Sequence, residues 1–298
     1  MLMDGNMKRL TVFTPTYNRE HLLGRLYDSL KAQTCDDFVW LIVDDGSTDN
    51  TKAVIDGYVQ ENKIDIRYIY RENGGKMRAH NDGVKNTETP FFLCVDSDDY
   101  LVSDAVESLL KTVDELSNKG LDITDKNSKI AGIITHKGRS ESELLSGVNF
   151  PDKIERSTLY GLYLNGFKGE TTIMFVTSVI AEYPFPEIEG EKYVPEDYIY
   201  DKIDTEYEYI VQDRIITVCE IVSEGYTDSV IKLKNNNPVA FYLYYEQRAE
   251  ITPPSVLKIK YSGFYIKYAK KCGKSLSSVK LNLFYKMVGL LASVFINE

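Results

Sequence analysis

The sequence predicts an α/β fold with a mostly parallel central sheet flanked by helices, followed by a helical extension. Over residues 1–100, apolar runs suited to buried strands alternate with segments of helical period. Two of these apolar runs end directly in clusters of aspartates, and beyond residue 238 the pattern is helical. We therefore expect a main domain over residues 1–237 and a basic helical extension over residues 238–298.

Strands and helices are predicted in alternation along the first part of the chain. The strand segments are RLTVFT, FVWLIVDD, IDIRYIY and PFFLCV, and the helical segments are EHLLGRLYDSLKAQ, TKAVIDGYVQE, KMRAHNDGVKN and VSDAVESLLKTVDEL. Repeats of this kind produce parallel sheets. IAGIITH predicts a further strand, after which residues 140–225 are expected to be rich in loops, with one helix at EDYIYDKI.

Composition excludes several classes of protein. The net charge of −10 argues against a general nucleic-acid binder. The four cysteines form no C-x-x-C pair, which indicates reduced thiols and no zinc knuckle. With only three scattered histidines, a histidine metal site or a Ser-His-Asp triad is not expected. MLMDGNMKRLTVF lacks the apolar region of a signal peptide, and no apolar run reaches the length of a membrane span, so we expect a cytoplasmic location.

The first acidic cluster, Asp44 and Asp45, follows FVWLIV and precedes the turn residues GSTDNT. Because ligands of open α/β sheets bind at the carboxyl ends of the strands, these carboxylates are expected to face a ligand crevice. The alternative is structural: Asp45, Ser47 or Thr48 would cap the next helix. Local sequence leaves both interpretations open.

The second acidic cluster, Asp96, Asp98 and Asp99, follows the apolar run FFLCV. Three carboxylates so close together repel one another, and their hard oxygen atoms suit Mg²⁺ or Mn²⁺ held jointly with substrate phosphates. In isolation the cluster is also compatible with a solvated acidic turn. Its repetition at the ends of two strands favours the ligand site.

Two further segments have weaker signals. NGGKMRAHNDG, residues 73–83, combines glycines with Lys76 and Arg78, which suits a loop lying against a phosphorylated ligand, although Asn-Gly-Gly is also a common turn. Far downstream, Glu196 and Asp197 begin the helix expected at EDYIYDKI. Acidic residues in a first helical turn commonly stabilise the helix dipole, which is the structural alternative there.

Four segments, VFTPTYNRE, VDDGSTDNT, NGGKMRAHNDG and VDSDD, resemble in order and spacing the motifs of family 2 glycosyltransferases with the GT-A fold. The resemblance covers roughly residues 8–105 and extends more loosely to about residue 225. It implies a Rossmann-like sheet that binds a nucleotide-sugar donor, usually a UDP-sugar. The stretch from FKGETTIMF to VPED resembles a subgroup of bacterial surface-polysaccharide transferases, in which Lys168, Glu170 and Glu191 would shape the donor or acceptor pocket.

The resemblance also assigns site residues, all carried over from the family's motifs. The donor nucleotide would be contacted by Thr14, Pro15, Tyr17, Arg19, Glu20, Asp45, Gly75, Lys76, Asn81 and Asp96. DSDD resembles the DxD signature, so Asp98, or else Asp99, would bind Mn²⁺ or Mg²⁺. PED resembles the motif of the general base, which makes Asp197 the catalytic base with Glu196 as its catalytic neighbour.

The implied reaction is a single displacement at the anomeric carbon, with inversion, onto a hydroxyl of a saccharide or lipid-linked saccharide acceptor. One alternative is a nucleotidyltransferase, but FTPTYNREH contains none of the glycines that open the phosphate loop of such enzymes. A second alternative is a catalytically inactive GT-A module that serves as a partner in a membrane-associated assembly. The intact set of acidic motifs argues against this alternative.

Residues 251–298 differ in charge from the rest of the chain, since they contain eight lysines and a single acidic residue, Glu298. An apolar stripe recurs there with heptad-like spacing at Leu281, Phe284, Val288, Leu291 and Phe295. One interpretation packs this stripe against the catalytic domain or a second copy of the chain, as a homodimer. The other places the segment peripherally on the anionic inner face of the cytoplasmic membrane.

Overall fold

The computed structural model describes residues 7–219 and 230–296. These residues divide into two compact units, the first comprising residues 7–184 and 200–219 and the second residues 185–199 and 230–296. The sequence predicted a single domain boundary at residue 237. The structure instead groups residues 185–199 with the helices after residue 229. Among the helices described, none combines the length and apolar character needed to cross a membrane.

A mixed sheet forms the centre of the first unit. Its described strands are β1 Leu10–Thr16, β2 Phe38–Asp44, β3 Ile66–Tyr70, β4 Phe91–Cys94, β5 Asp99–Leu101, β6 Ile130–Gly138, β7 Arg156–Ser157, β8 Thr171–Val176 and β9 Glu208–Cys219. The spatial order is β3-β2-β1-β4-β8-β6-β9-β5, with β7 paired to β9. The first four strands in this order are mutually parallel, as the strand–helix alternation predicts.

Five of the helices of this part of the chain confirm the predicted pattern. The helices are α1 Leu23–Lys31, α2 Thr51–Glu61, α3 Lys76–Lys85, α4 Ala105–Asn118, α5 Leu159–Leu164 and α6 Thr177–Ile180, followed by α7 Asp197–Ile203. The two short helices α5 and α6 were not predicted. Each long helix buries one face, and in α1 the buried residues recur at helical spacing. α7 occupies the segment EDYIYDKI in which a helix was expected.

The expectation of a loop-rich region over residues 140–225 is wrong for three strands, β7, β8 and β9, and for the short helices α5 and α6; its last residues, 220–225, lie outside the described residues. β8 lies antiparallel between β4 and β6, and β9 pairs with β6 in parallel through several register shifts. β9 is hard to recognise locally because Gln212, Asp213 and Arg214 interrupt its apolar residues. β8 is short, and its place in the sheet depends on neighbours that lie far away in sequence.

The second unit is helical, as predicted for the extension. Its helices after residue 229 are α8 Val230–Asn236, α9 Pro238–Ile251, α10 Val256–Lys271 and α11 Leu283–Phe295. Aromatic side chains fill the space between α9 and α10, with the rings of Tyr245 and Phe264 stacked at a centroid distance of 4.6 Å. The four cysteines of the chain are free.

Gly132 in β6 is a position where the sheet excludes any side chain. Its φ is +154°, and a Cβ built there would lie 1.9 Å from the backbone oxygen of Met174 in β8. We expect Gly132→Ala to destabilise the protein by about 2 kcal/mol or more, because backbone within a sheet cannot move aside cheaply. Urea unfolding followed by circular dichroism measures this change.

Gly57 in α2 provides the matched control, since a Cβ there meets nothing within 4 Å. Gly57→Ala should leave the protein equally stable or stabilise it by about 0.5–1 kcal/mol, because alanine favours a helix over glycine. A Gly132→Ala protein with the stability of the Gly57→Ala protein would show that β6 and β8 do not pack as described.

Candidate active site

The predicted motifs of the first unit meet at one edge of the sheet. Because β2, β1 and β4 are adjacent and parallel, their carboxyl ends lie on the same side. Asp45 follows β2, Tyr17 follows β1 and Asp96 follows β4 shortly after its last residue. The order of the strands therefore brings together motifs that lie up to eighty residues apart in sequence.

Asp45 is buried and binds the loop that precedes α3. Its Oδ1 accepts hydrogen bonds from the backbone N–H of Gly74 at 2.9 Å and from the Arg71 guanidinium, and its Oδ2 accepts one from Gly75 N–H at 2.7 Å. Arg71 also donates from Nε to Asp82 Oδ2 at 2.8 Å. Burial opposes the Arg71 charge, but its bonds to Asp45 and Asp82 outweigh that effect and raise the pKa of Arg71. Arg71 has no counterpart in the sequence prediction.

Asp44 accepts hydrogen bonds from the turn after β2 and from β3. Its Oδ1 accepts a hydrogen bond from Ser47 N–H at 2.8 Å, and its Oδ2 accepts one from the Tyr68 hydroxyl at 2.8 Å. The capping alternative for this motif is wrong, because Asn50 is the residue that precedes α2 and the backbone N–H of Thr51 is bound by Asp49 at 3.0 Å. Asp44 thus closes the turn after β2.

The segment after β1 is bonded to the segment after β2. The backbone N–H of Asn18 donates to Ser47 Oγ at 2.8 Å, and Glu20 Oε2 accepts a hydrogen bond from Asn50 N–H at 2.7 Å. The backbone N–H of Arg19 donates to Thr51 Oγ1 at 3.1 Å. Glu20 and the Arg19 backbone therefore hold the two strand-end loops together.

Three other predicted residues of this segment differ in exposure. Tyr17 is exposed at the strand end, whereas Thr14 and Pro15 are buried. The Thr14 hydroxyl accepts a hydrogen bond from the Trp40 indole N–H at 3.0 Å, so that its oxygen is directed into the core. Among these three, Tyr17 presents its side chain to a ligand most openly.

The Asp96–Asp99 segment forms a tight turn whose carboxylates are paired unequally. Lys76 Nζ lies 2.8 Å from Asp96 Oδ1, and the backbone N–H of Asp99 donates to Asp96 O at 3.0 Å. Burial opposes ionisation of Asp96, but the charges of Lys76 and Lys137 outweigh it and lower the pKa of Asp96. The sequence predicted that Lys76 contacts the donor nucleotide. Lys76 is the first residue of α3, and its side chain reaches Asp96 at the carboxyl edge of the sheet.

Asp99 has a partner that local sequence did not predict. Lys137 Nζ, from β6, lies 3.1 Å from Asp99 Oδ2, and the Cys219 thiol donates to the same oxygen at 3.3 Å. Burial raises the pKa of Asp99 to about 6, although Lys137 opposes this shift. The available signal was a lysine near the end of the mostly apolar strand IAGIITHKG.

Asp98 differs from its two neighbours. Within the described residues, its half-buried carboxylate accepts no hydrogen bond and pairs with no cation. No group of three or more His, Cys, Asp or Glu side chains in the described ranges could hold a metal ion. Mg²⁺ commonly takes one or two protein carboxylates together with substrate phosphates, so a single available aspartate fits such an ion.

Asp197 begins α7 and lies in the second unit with the residues that surround it. Its Oδ2 lies 2.9 Å from Arg248 Nη2, and the Tyr244 hydroxyl donates to the same oxygen at 3.4 Å. Burial raises the pKa of Asp197, with the Arg248 charge opposing the shift and the Glu196 charge adding to it. The carboxylate is half-buried.

The other residues predicted for the donor or acceptor pocket differ in burial and in bonding. Asn81 is half-buried in α3, and Lys168 and Glu170 are exposed in the first unit. Glu191 has a structural role in the second unit, where its carboxylate accepts hydrogen bonds from the backbone N–H groups of Val239 at 2.7 Å and Ala240 at 2.8 Å. It therefore caps α9.

The bonds of Asp45 predict a large effect on folding. Asp45→Asn should destabilise the protein by about 3 kcal/mol or more, because it removes the charge opposite Arg71 and turns one acceptor oxygen into a donor facing backbone N–H groups. Asp98→Asn is the matched control and should change stability by no more than about 0.5 kcal/mol, since Asp98 has no partner to lose in the described chain. Chemical denaturation compares the two proteins, and equal midpoints would contradict the structural role of Asp45.

Comparison with known proteins identifies the domain. The family model described as "Glycosyl transferase family 2" matches residues 11–138. The chain is 37% identical over 106 residues to the teichoic acid poly(glycerol phosphate) polymerase of Staphylococcus epidermidis. That match covers 35% of this chain and 15% of the polymerase, so the chain spans only a small part of this relative's length.

Solved structures extend the likeness over nearly the whole chain. The S. aureus TarS 1–349 structure in complex with UDP-GlcNAc has a TM-score of 0.60 at 18% identity, covering 95% of this chain and 79% of TarS 1–349. The Pyrobaculum calidifontis mannosyltransferase PcManGT, in complex with GDP-Man and Mn²⁺, has a TM-score of 0.59 at 15% identity. This match covers 96% of this chain and 80% of the PcManGT chain. At these identities the likeness shows the fold. Residues 11–138 therefore match the family 2 glycosyltransferase model, and the chain has the GT-A fold of these solved structures.

Proposed function

We propose that this chain transfers a sugar from a UDP-sugar to a hydroxyl group of a saccharide or lipid-linked saccharide acceptor, with inversion at the anomeric carbon. The observation that carries the proposal is the arrangement at the carboxyl ends of β2, β1 and β4, where the Asp45 network and the Asp96–Asp99 turn share one edge of the sheet. The complex of TarS with UDP-GlcNAc supports a nucleotide-sugar donor at this fold.

Donor recognition is assigned to Asp45 and the segment after β1. A carboxylate has about four lone-pair sites, and Asp45 uses three of them on Arg71, Gly74 and Gly75. The remaining lone pair of Oδ2 could accept a hydrogen bond from the imide N–H of uracil. The hydrogen bonds from Arg71, Gly74 and Gly75 would hold the carboxylate in position for this contact. The exposed ring of Tyr17 would lie against the base.

The diphosphate is assigned to the Asp96–Asp99 turn. Asp98 is the aspartate available to bind Mn²⁺ or Mg²⁺, since Asp96 and Asp99 are paired with Lys76 and Lys137. The ion, when bound, would stabilise the negative charge that develops on the departing nucleoside diphosphate. Lys76 would hold the Asp96 carboxylate in its ionised form toward the donor.

Removal of the acceptor proton is assigned to Asp197. A carboxylate is a better base when its pKa is raised toward the working pH, and burial raises the pKa of Asp197. The charge of Arg248, 2.9 Å away, opposes this shift. The Arg248 guanidinium and the Tyr244 hydroxyl both contact Oδ2, which leaves Oδ1 as the oxygen that would accept the proton.

Calorimetry of UDP binding, with and without Mn²⁺, tests the donor site directly. Asp98→Asn should reduce the Mn²⁺-dependent gain in UDP affinity by about tenfold or more, because one of the few protein ligands of the ion is lost. Asp36→Asn is the control, since the Asp36 side chain is exposed on the surface. An unchanged Mn²⁺ effect in Asp98→Asn would contradict the assignment, and a loss confined to Asp99→Asn would transfer it to Asp99.

Turnover separates the base from the donor site. Asp197→Asn should lower kcat by about 100-fold or more while UDP affinity stays within about twofold, because a base acts on the acceptor. In the wild-type protein, kcat should fall as the pH drops through a value above the ordinary aspartate pKa of about 4, since the base must be ionised. A screen of UDP-sugars for donor hydrolysis identifies the sugar for these assays. Equal losses of UDP affinity and kcat in Asp197→Asn would contradict this role.

A further inference from the structure

α11 is an apolar helix of 13 residues, LFYKMVGLLASVF, that packs through one narrow side. Small residues allow close contact with α10 on that side. A Cβ built at Gly289 would lie 3.0 Å from Ser262 Cβ, and one built at Gly263 would lie 3.1 Å from Ala292 Cβ. Because this contact uses little of the helix surface, most large side chains of α11 lie elsewhere.

The rest of α11 presents a continuous apolar surface to solvent. This α11 apolar face consists of Leu283, Phe284, Met287, Leu290, Leu291, Val294 and Phe295. The exposed fractions are 59% for Phe284, 66% for Leu291 and 81% for Phe295. These three residues belong to the predicted stripe, and their exposure leaves the stripe available to a second copy of the chain or to a lipid surface. A surface of this kind on a helix marks an interaction site.

The charge around α11 indicates what covers this face. Residues 251–296 contain eight lysines and no acidic residue. Two of these lysines reach α11 from α10, since Lys267 Nζ donates to Ile296 O at 3.1 Å and Lys258 Nζ lies 5.3 Å from the Tyr285 ring centre. Lys286 belongs to α11 itself. A second copy would bring like charges together, whereas an anionic surface would attract them.

We propose that the α11 apolar face docks on an anionic lipid bilayer, with the helix lying in the headgroup region and the lysines near the lipid phosphates. Amphipathic helices bind such surfaces through buried apolar area together with attraction of basic side chains to anionic lipids. At 13 residues, α11 is about 20 Å long and the hydrocarbon core is about 30 Å thick, so the helix lies on the membrane instead of crossing it.

Co-sedimentation with vesicles tests this docking on the full chain. The protein should pellet with vesicles of phosphatidylglycerol and phosphatidylcholine at low salt, and much less with phosphatidylcholine alone or at high salt. Leu291→Gln combined with Phe295→Gln should lower the bound-to-free ratio by about tenfold or more. The matched control is Val59→Gln with Leu164→Gln, two apolar residues of the first unit that are 47% and 49% exposed. That control should pellet like the wild type.

Met287→Gln with Val294→Gln provides a second test on the same face and should produce a similar loss. Because all four residues are exposed, the thermal unfolding midpoint should not change. Equal partition of both α11 variants and the wild type, or no partition of the wild type on anionic vesicles, would overturn the proposal. So would sedimentation velocity showing a wild-type dimer that the α11 variants dissociate. The readout is lipid binding, so a negative result leaves the proposed transfer reaction untouched.

Discussion

The ion pair between Asp45 and Arg71 is the interaction on which the candidate site depends. It joins the end of β2 to the residue after β3, and through Gly74 and Gly75 it fixes the start of α3. A pair with a buried carboxylate is costly to break from one side only, because the remaining charge is left without a partner. The residue that the family motif assigns to base recognition is therefore also the residue that builds its own surroundings.

A second constraint is electrostatic and concerns the Asp96–Asp99 turn. Three carboxylates within four residues cannot all be ionised at low cost unless positive charge is supplied. α3 supplies Lys76 to Asp96, and β6 supplies Lys137 to Asp99. Asp98 is left without a protein cation in the described chain. The pattern of pairing thus distinguishes three aspartates that look alike in the sequence, and it supports the proposed division of their roles.

The helices of the second unit pack against each other in two different ways. Aromatic rings fill the region between α9 and α10, whereas α10 and α11 meet through glycine, serine and alanine. Close approach through small residues leaves the large side chains of α11 on the outside, beside a lysine-rich and acid-free segment. An apolar face on a segment with eight lysines and no acidic residue matches the interfacial region of an anionic membrane, which contains both apolar chains and phosphate groups.

The sequence by itself determined the elements whose pattern is local. The alternation of β1–β4 with α1–α4, the helices after residue 238 and the positions of the acidic motifs all follow from periodicity and turn residues within short windows. The tertiary structure alone decided the insertion of β8 between β4 and β6, the pairing of Lys137 with Asp99 and the capping of α9 by Glu191. These depend on residues far apart in the chain, and the local sequence around Asp98 or Phe295 does not reveal which neighbours it will have.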